Sequence, residues 1–119
     1  MREAVRDLDR LLHMQEALSR VQQYMQDKSF DDLSEDSMLF FAVVKNIEII
    51  GEAAYKITHE FCDAHSATPW KDIIDMRHVL VHGYYTTSRG YIWATIQTDL
   101  PVLKAQLEDY IAELSAPKS

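Results

Sequence analysis

Asp75-Met76-Arg77-His78-Val79-Leu80-Val81-His82-Gly83-Tyr84-Tyr85 places a permanent cation, two imidazoles, a glycine and two phenols within eleven residues. Read backward to Thr68, the same stretch adds Trp70, Ile73 and Ile74 to the apolar set of Met76, Val79, Leu80 and Val81. A helix over these residues is apolar around most of its girth, which predicts a central helix in an all-α protein. Thr68 offers an N-cap with Pro69 in the favoured first position, and Gly83 is the expected left-handed stop. Arg77 is always charged and can fork onto a phosphate. Histidine, as at His82, is the side-chain type suited to taking and giving a proton near neutrality. Together they suit phosphodiester chemistry on RNA. There the 2′-OH must lose a proton, the leaving 5′-oxygen must gain one, and the developing charge needs a fixed cation. Five residues separate the pair, about 140° around an ideal helix. They can meet over one substrate if the helix end unwinds at Gly83, or if two copies face each other across a twofold axis.

Working outward, apolar residues recur at Val5, Leu8, Leu11, Leu12, Leu18, Val21 and Met25 between Arg2 and about Gln26, an amphipathic helix by spacing. Arg2, Arg6 and Arg10 line one of its faces, either as a flank paired with local acids or as a grip on RNA or an acidic partner. Residues 27–36 read as a polar connector anchored by Phe30 and Leu33, with Ser34 or Asp36 as a cap for the next helix. That helix, the longest predicted, runs from about Glu35 to Phe61 with Phe40, Val43, Val44, Ile47, Ile50, Ala54 and Ile57 as its buried stripe. Gly51 sits inside it, where glycine costs up to about 1 kcal/mol against alanine. It therefore reads as a notch for another backbone. Cys62–Thr68 is a short loop, and residues 84–88 are a hydroxyl-rich one. A last helix begins near Gly90, is kinked or restarted by Pro101, and ends in a frayed tail from Ser115.

Arg77 through Tyr84 spells R-x4-H-x-Y, and the motif resembles the signature of HepT-like toxins in the HEPN superfamily. Its surroundings are similar as well: Lys45-Asn46-Ile47-Glu48-Ile49-Ile50-Gly51-Glu52-Ala53-Ala54 upstream, Pro69-Trp70 before the motif, and Ile92-Trp93 with Asp99-Leu100-Pro101 after it. These blocks keep the family's order and, with the flanking helices, span nearly the whole chain. Asp75 departs from the glycine that many relatives carry before the Met-Arg pair. The resemblance implies one HEPN-like domain over residues 1–119, an up-and-down bundle of four to five helices. It also implies a homodimer with both motifs lining one cleft, and metal-independent cleavage of RNA by Arg77 and His82 without a cofactor. Asn46 and Glu52 would support the cleft. Tyr84 would be the residue to which a nucleotidyltransferase antitoxin attaches AMP, silencing a toxin.

Blander readings stand beside these. Arg77 can pair a neighbouring acid and His82 can bond near a helix end, which would make the chain a non-catalytic helical module that partners a nucleotidyltransferase. Asn46 can be a surface residue, Glu52 can pair with Lys56 one turn on, and Tyr84 can simply pack. His78 and His82 at i, i+4, and His59 and Cys62 at i, i+3, have metal-ligand spacing without a metal motif around them, so no metal is expected.

Composition narrows the classes. A hydrophobic content of 47% excludes a disordered chain, and three glycines with three prolines exclude a turn-rich β-fold. The net charge of −7 argues against a broad nucleic-acid-binding face, so an RNA site would be a local pocket and DNA is not expected. Cys62 is alone, which excludes an intrachain disulfide and suits a reducing compartment. With neither a signal-peptide run nor a membrane-length apolar stretch, the expectation is a cytoplasmic protein.

Overall fold

Leu11, Met14, Ala17, Leu18 and Val21 recur at intervals of three and four and are fully buried along α1 (Arg2–Tyr24). Leu12, one position and about 100° further round, is 40% exposed and falls off the predicted stripe. The computed structural model describes residues 2–83 and 88–116, with side chains from Arg6 onward. Val5, Arg2 and most of the 84–88 loop therefore lie outside the described side chains.

After α1, Asp27 takes the left-handed conformation (φ 62). Short side chains that can hydrogen-bond locally tolerate that region. The predicted polar connector then contains a helix of its own, α2 (Phe30–Glu35). Ser29 and Asp32 form a reciprocal capping box: the Ser29 hydroxyl accepts from the Asp32 N–H at 3.1 Å, and the Asp32 carboxylate accepts from the Ser29 N–H at 2.8 Å. The Ser29 backbone bond, then its hydroxyl, hold the Asp32 carboxyl below its ordinary value. Asp36, of the two caps anticipated, accepts from the Leu39 N–H and starts α3 (Ser37–Tyr55).

The predicted run to Phe61 is broken. Helix α3 ends at Tyr55, and α4 (His59–Ala64) starts anew at Thr58. The Thr58 hydroxyl accepts from the Phe61 N–H, while the carboxylate of Asp7 on α1 takes the Thr58 N–H (3.0 Å) and hydroxyl (2.7 Å). Asp7 is 3% exposed, so this is a capped corner closed from another helix.

Helix α5 (Trp70–Gly83) comes next. Gly83 is still helical, and no glycine among the described residues has positive φ, so the expected left-handed stop is not used there. The Thr68 hydroxyl, expected to cap α5, instead meets Gln106 Oε1 and the Tyr110 hydroxyl, each at 2.7 Å. His65 stacks on Phe61 and reaches Glu113, which completes a polar and aromatic clasp on the last helix. Ser88 caps α6 (Arg89–Ala94) through the Tyr91 N–H. A π-helical turn, Thr95–Asp99, joins α6 to α7 (Leu100–Ser115). Proline at 101 has no N–H and crowds the carbonyl four residues back; the wider turn before it takes up that mismatch.

The protein is all-α, a helical bundle with α1 and α5 packed on α3 and α7 packed on α1. The long helices are those expected; the short α2, α4 and α6 were not separated by periodicity. The molecule measures 51 × 29 × 20 Å. Its thinnest dimension is about two helix diameters, so the bundle has little depth in which to enclose a helix. Helix α5 accordingly buries only Trp70, Ile73 and Leu80, whereas Val79 is 51% exposed and Val81 36%. The helix placed centrally by its composition is half uncovered, and α3 takes the central position. Among the described residues no helix is long and apolar enough to cross a membrane.

Candidate active site on helix α5

Gly51 and Arg77 fix how α3 and α5 meet. A Cβ added at Gly51 would lie 2.3 Å from Cβ of Arg77 and 3.0 Å from the Ile73 carbonyl oxygen. The glycine is therefore the notch that its place in the helix predicted, and Arg77 is what fills it. The next residue, Glu52, sets its Oε2 2.7 Å from Nε of Arg77. Lys56 stands 3.8 Å from the same carboxylate, so Glu52 makes the expected pair one turn on as well as the pair with Arg77. The Arg77 side chain is 33% exposed. It is anchored at its stem and open to a ligand at its edge.

His82 lies on another face. Helix α5 stays helical through Gly83, so the 140° between Arg77 and His82 is not undone. The exposed ring of His82 sits against the exposed ring of His78, with centroids 4.5 Å apart. One chain thus brings Glu52 to Arg77 and His78 to His82 without joining the two pairs. Asn46 is buried on α3 and points elsewhere: its Oδ1 accepts from Nη1 of Arg20 at 3.1 Å and its amide donates to the Ala42 carbonyl. Arg20 also pairs with Glu16. The sequence signal for Arg20 was only the Glu16–Arg20 spacing of four, which is too common to mark a site. Tyr84 lies outside the described residues. On α6, the Arg89 guanidinium stands 3.8 Å over the Phe40 ring of α3.

Beside Arg77, a groove of about 320 Å³ runs between α3 and α5, lined by Phe41, Val44, Lys45, Glu48, Leu80 and Val81. Glu48 and Val81 are one helical turn from Glu52 and Arg77, so groove and ion pair share a face. A second hollow of about 330 Å³, floored by Ile73, Met76, Leu100 and Leu103, contains neither Arg77 nor His82. Burial, then the charges of Asp7 and Asp63, push the Cys62 thiol above its ordinary value. That suits an inert structural cysteine and not a nucleophile. Among the described residues no group of three or more histidine, cysteine or acidic side chains is placed to hold a metal ion.

The family described as "Ribonuclease HepT-like" matches residues 14–110, which include Asn46, Glu52, Arg77, His82 and Tyr84. The chain belongs to the HepT-like ribonuclease family. It is 33% identical over 100 residues to the "Probable ribonuclease HepT" of Thermococcus cleftensis, covering 84% of this chain and 91% of that protein. It is 40% identical over 83 residues to a candidate RNase of Caldanaerobacter subterraneus subsp. tengcongensis, covering 70% of this chain and 74% of that one. A protein of Methanocaldococcus jannaschii, named as a gamma-glutamylcyclotransferase and candidate RNase, is 33% identical over 109 residues. That alignment takes 92% of this chain but spans about half, 49%, of the relative. No solved structure matches the chain. For this member of the HepT-like family, the Arg77–Glu52 pair and the Gly51 notch give physical reasons for the upstream Gly-Glu block.

Proposed function

We propose that this HepT-like chain is a cytoplasmic endoribonuclease, the toxin of a toxin–antitoxin pair, and that it works as a homodimer without metal. The observation that carries the reading is the pairing on α5: a part-exposed arginine anchored by Glu52, and an exposed histidine 140° away on the same rigid helix. Two copies related by a twofold axis bring Arg77 of one toward His82 of the other. The groove beside Arg77 is where the second copy would seat. Phe41 and Val81 are exposed apolar groups, and Lys45 and Glu48 have opposite signs, so the patch can complement itself.

In the reaction, His82 takes the proton of the 2′-OH, and that oxygen attacks the adjacent phosphorus. The 5′-oxygen leaves with a proton from the His82 of the second copy or from a water oriented by Arg77. Arg77 holds the phosphate as charge builds on it, and a 2′,3′-cyclic phosphate remains. Tyr84 directly follows Gly83 in sequence, two residues from His82. An antitoxin nucleotidyltransferase that adds AMP to Tyr84 would bring a phosphodiester anion near Arg77 and adenosine bulk into the cleft, silencing the enzyme.

The alternative, a non-catalytic module bound by a nucleotidyltransferase, is favoured by one observation: Arg77 already has a carboxylate partner. Incubating the purified chain with RNA in EDTA, beside Arg77→Ala and His82→Ala, separates the two. Cleavage that survives the chelator, leaves cyclic-phosphate ends and is lost in both folded variants supports the ribonuclease. Cleavage that needs added Zn²⁺ or Mn²⁺ replaces it with a metal enzyme. A wild-type chain that leaves RNA intact supports the binding module. Intact-mass spectrometry after co-expression with a neighbouring nucleotidyltransferase tests Tyr84; an unmodified chain that is still neutralised leaves complex formation as the control.

A further inference from the structure

His78 and His82 lie one turn apart on α5, and both are exposed. Their ring centroids are 4.5 Å apart, with the planes tilted by 52°, so the rings are not stacked flat on each other. Two imidazoles that each bind one ion at ~2.0–2.1 Å place their centroids roughly 4.5–5 Å apart. The observed spacing is compatible with both rings on one ion, and two exposed side chains can make the rotamer adjustments that turn a nitrogen of each toward it. The backbone beneath them stays helical, which keeps the i, i+4 spacing fixed.

We propose that His78 and His82 form a two-imidazole site for a divalent transition-metal ion, and that filling this site switches the chain off. The silencing half rests on the ribonuclease reading above; the binding half does not. Imidazole nitrogens select Zn²⁺, Ni²⁺ and Cu²⁺ over the oxygen-seeking Mg²⁺ and Ca²⁺. Among the described residues no third donor is in place: Asp75, three residues before His78, is held by Lys71 at 2.6 Å. Water completes the coordination, so the ion binds reversibly. Glu52 partly offsets the charge of the adjacent Arg77, and the chain's net charge of −7 favours capture of a cation. A ring nitrogen whose lone pair is on a metal cannot accept the proton of a 2′-OH. The metal therefore acts as an inhibitor, the opposite of a cofactor.

Calorimetric titration of the full chain with ZnCl₂ and with NiCl₂, alongside imidazole ¹⁵N spectra, tests the site directly. Wild type should bind the ion with shifts confined to His78 and His82. His78→Ala and His82→Ala should each weaken binding at least tenfold, and His59→Ala on α4 should bind as wild type does. RNA cleavage is then read as the ratio with and without zinc, which cancels differences in rate between variants. The ratio should fall at least tenfold for wild type, recover with EDTA, stay near one with MgCl₂, and stay near one for His78→Ala under zinc. Equal metal binding by wild type and both alanine variants overturns the site. Zinc seated on the pair with an unchanged or increased cleavage rate overturns the silencing. Should the chain cleave no RNA under any condition, the ribonuclease reading and the silencing built on it fail together, and the titration still decides whether the pair binds metal.

Discussion

Glu52 is joined to Arg77 at 2.7 Å and stands 3.8 Å from Lys56, with 43% of its side chain exposed. Pairs of this exposure contribute about 0–1 kcal/mol to stability. Glu52→Gln should therefore move the melting temperature by at most about 4 °C. It should also loosen the arginine and cut RNA cleavage by roughly tenfold, about 1.4 kcal/mol of transition-state stabilisation. Full activity in the glutamine variant would show that Gly51 alone positions Arg77. Cys62 gives a prediction of a different kind. Its thiol is pushed above the ordinary value of 9.0 by burial, with Asp7 and Asp63 adding to it. The folded chain then keeps a proton that the unfolded chain releases. Its stabilising contribution is complete below pH 9.0 and is lost as pH rises through the higher folded value. Denaturant unfolding from pH 8 to pH 10.5 should show this loss, and Cys62→Ala should fall less steeply. An identical decline in the two would assign the alkaline loss to other groups. Tyr91, raised by burial and by Asp99, is the next to consider.

Between elements, the meeting of α3 and α5 is the most constrained. Alanine for glycine within an isolated helix gains up to about 1 kcal/mol. At position 51 the new methyl would meet Arg77 Cβ at 2.3 Å and the Ile73 carbonyl oxygen at 3.0 Å, and backbone cannot swing aside as a side-chain end can. Overpacking of that kind costs about 1–3 kcal/mol. Gly51→Ala should lower the melting temperature and reduce cleavage together, measured by thermal scan and RNA assay; a more stable variant would mean that α5 shifts freely. This contact was legible in advance because glycine weakens a long apolar helix unless a close neighbour needs the room. The broken helix at residues 56–58 was not, because its cause is Asp7, on a different helix and buried at the corner. Nor was α2, since a six-residue helix is too short to show a period, although Ser29 and Asp32 do spell its capping box. At the site, spacing separated Arg77 from His82 correctly. It could not reveal that Glu52 reaches Arg77 or that Asn46 turns to Arg20, because both depend on which helices become neighbours.

At the scale of the whole molecule, a thickness of 20 Å leaves apolar groups uncovered, among them Phe41 at 50% and Val81 at 36% exposure. Phe41 and Val81 line the groove next to the Arg77–Glu52 pair. Sedimentation at micromolar concentration should give a dimer, and Phe41→Glu should give a folded monomer that no longer cleaves RNA. A wild-type monomer would end the shared-cleft mechanism. The bond from Asp7 to Thr58 has a consequence in time as well as space. It ties together positions 51 residues apart, so the corner between α3 and α4, whose N-cap is the local Thr58 hydroxyl, gains its brace from Asp7 only after α1 has docked. Amides in a turn at the end of a helix ordinarily exchange with deuterium through small local openings. The Thr58 amide is tied to a buried carboxylate on another helix, and its hydrogen can leave only when α1 lifts away. It should be among the slowest-exchanging protons of the molecule, and in Asp7→Ala, which removes the acceptor, it should become one of the fast ones.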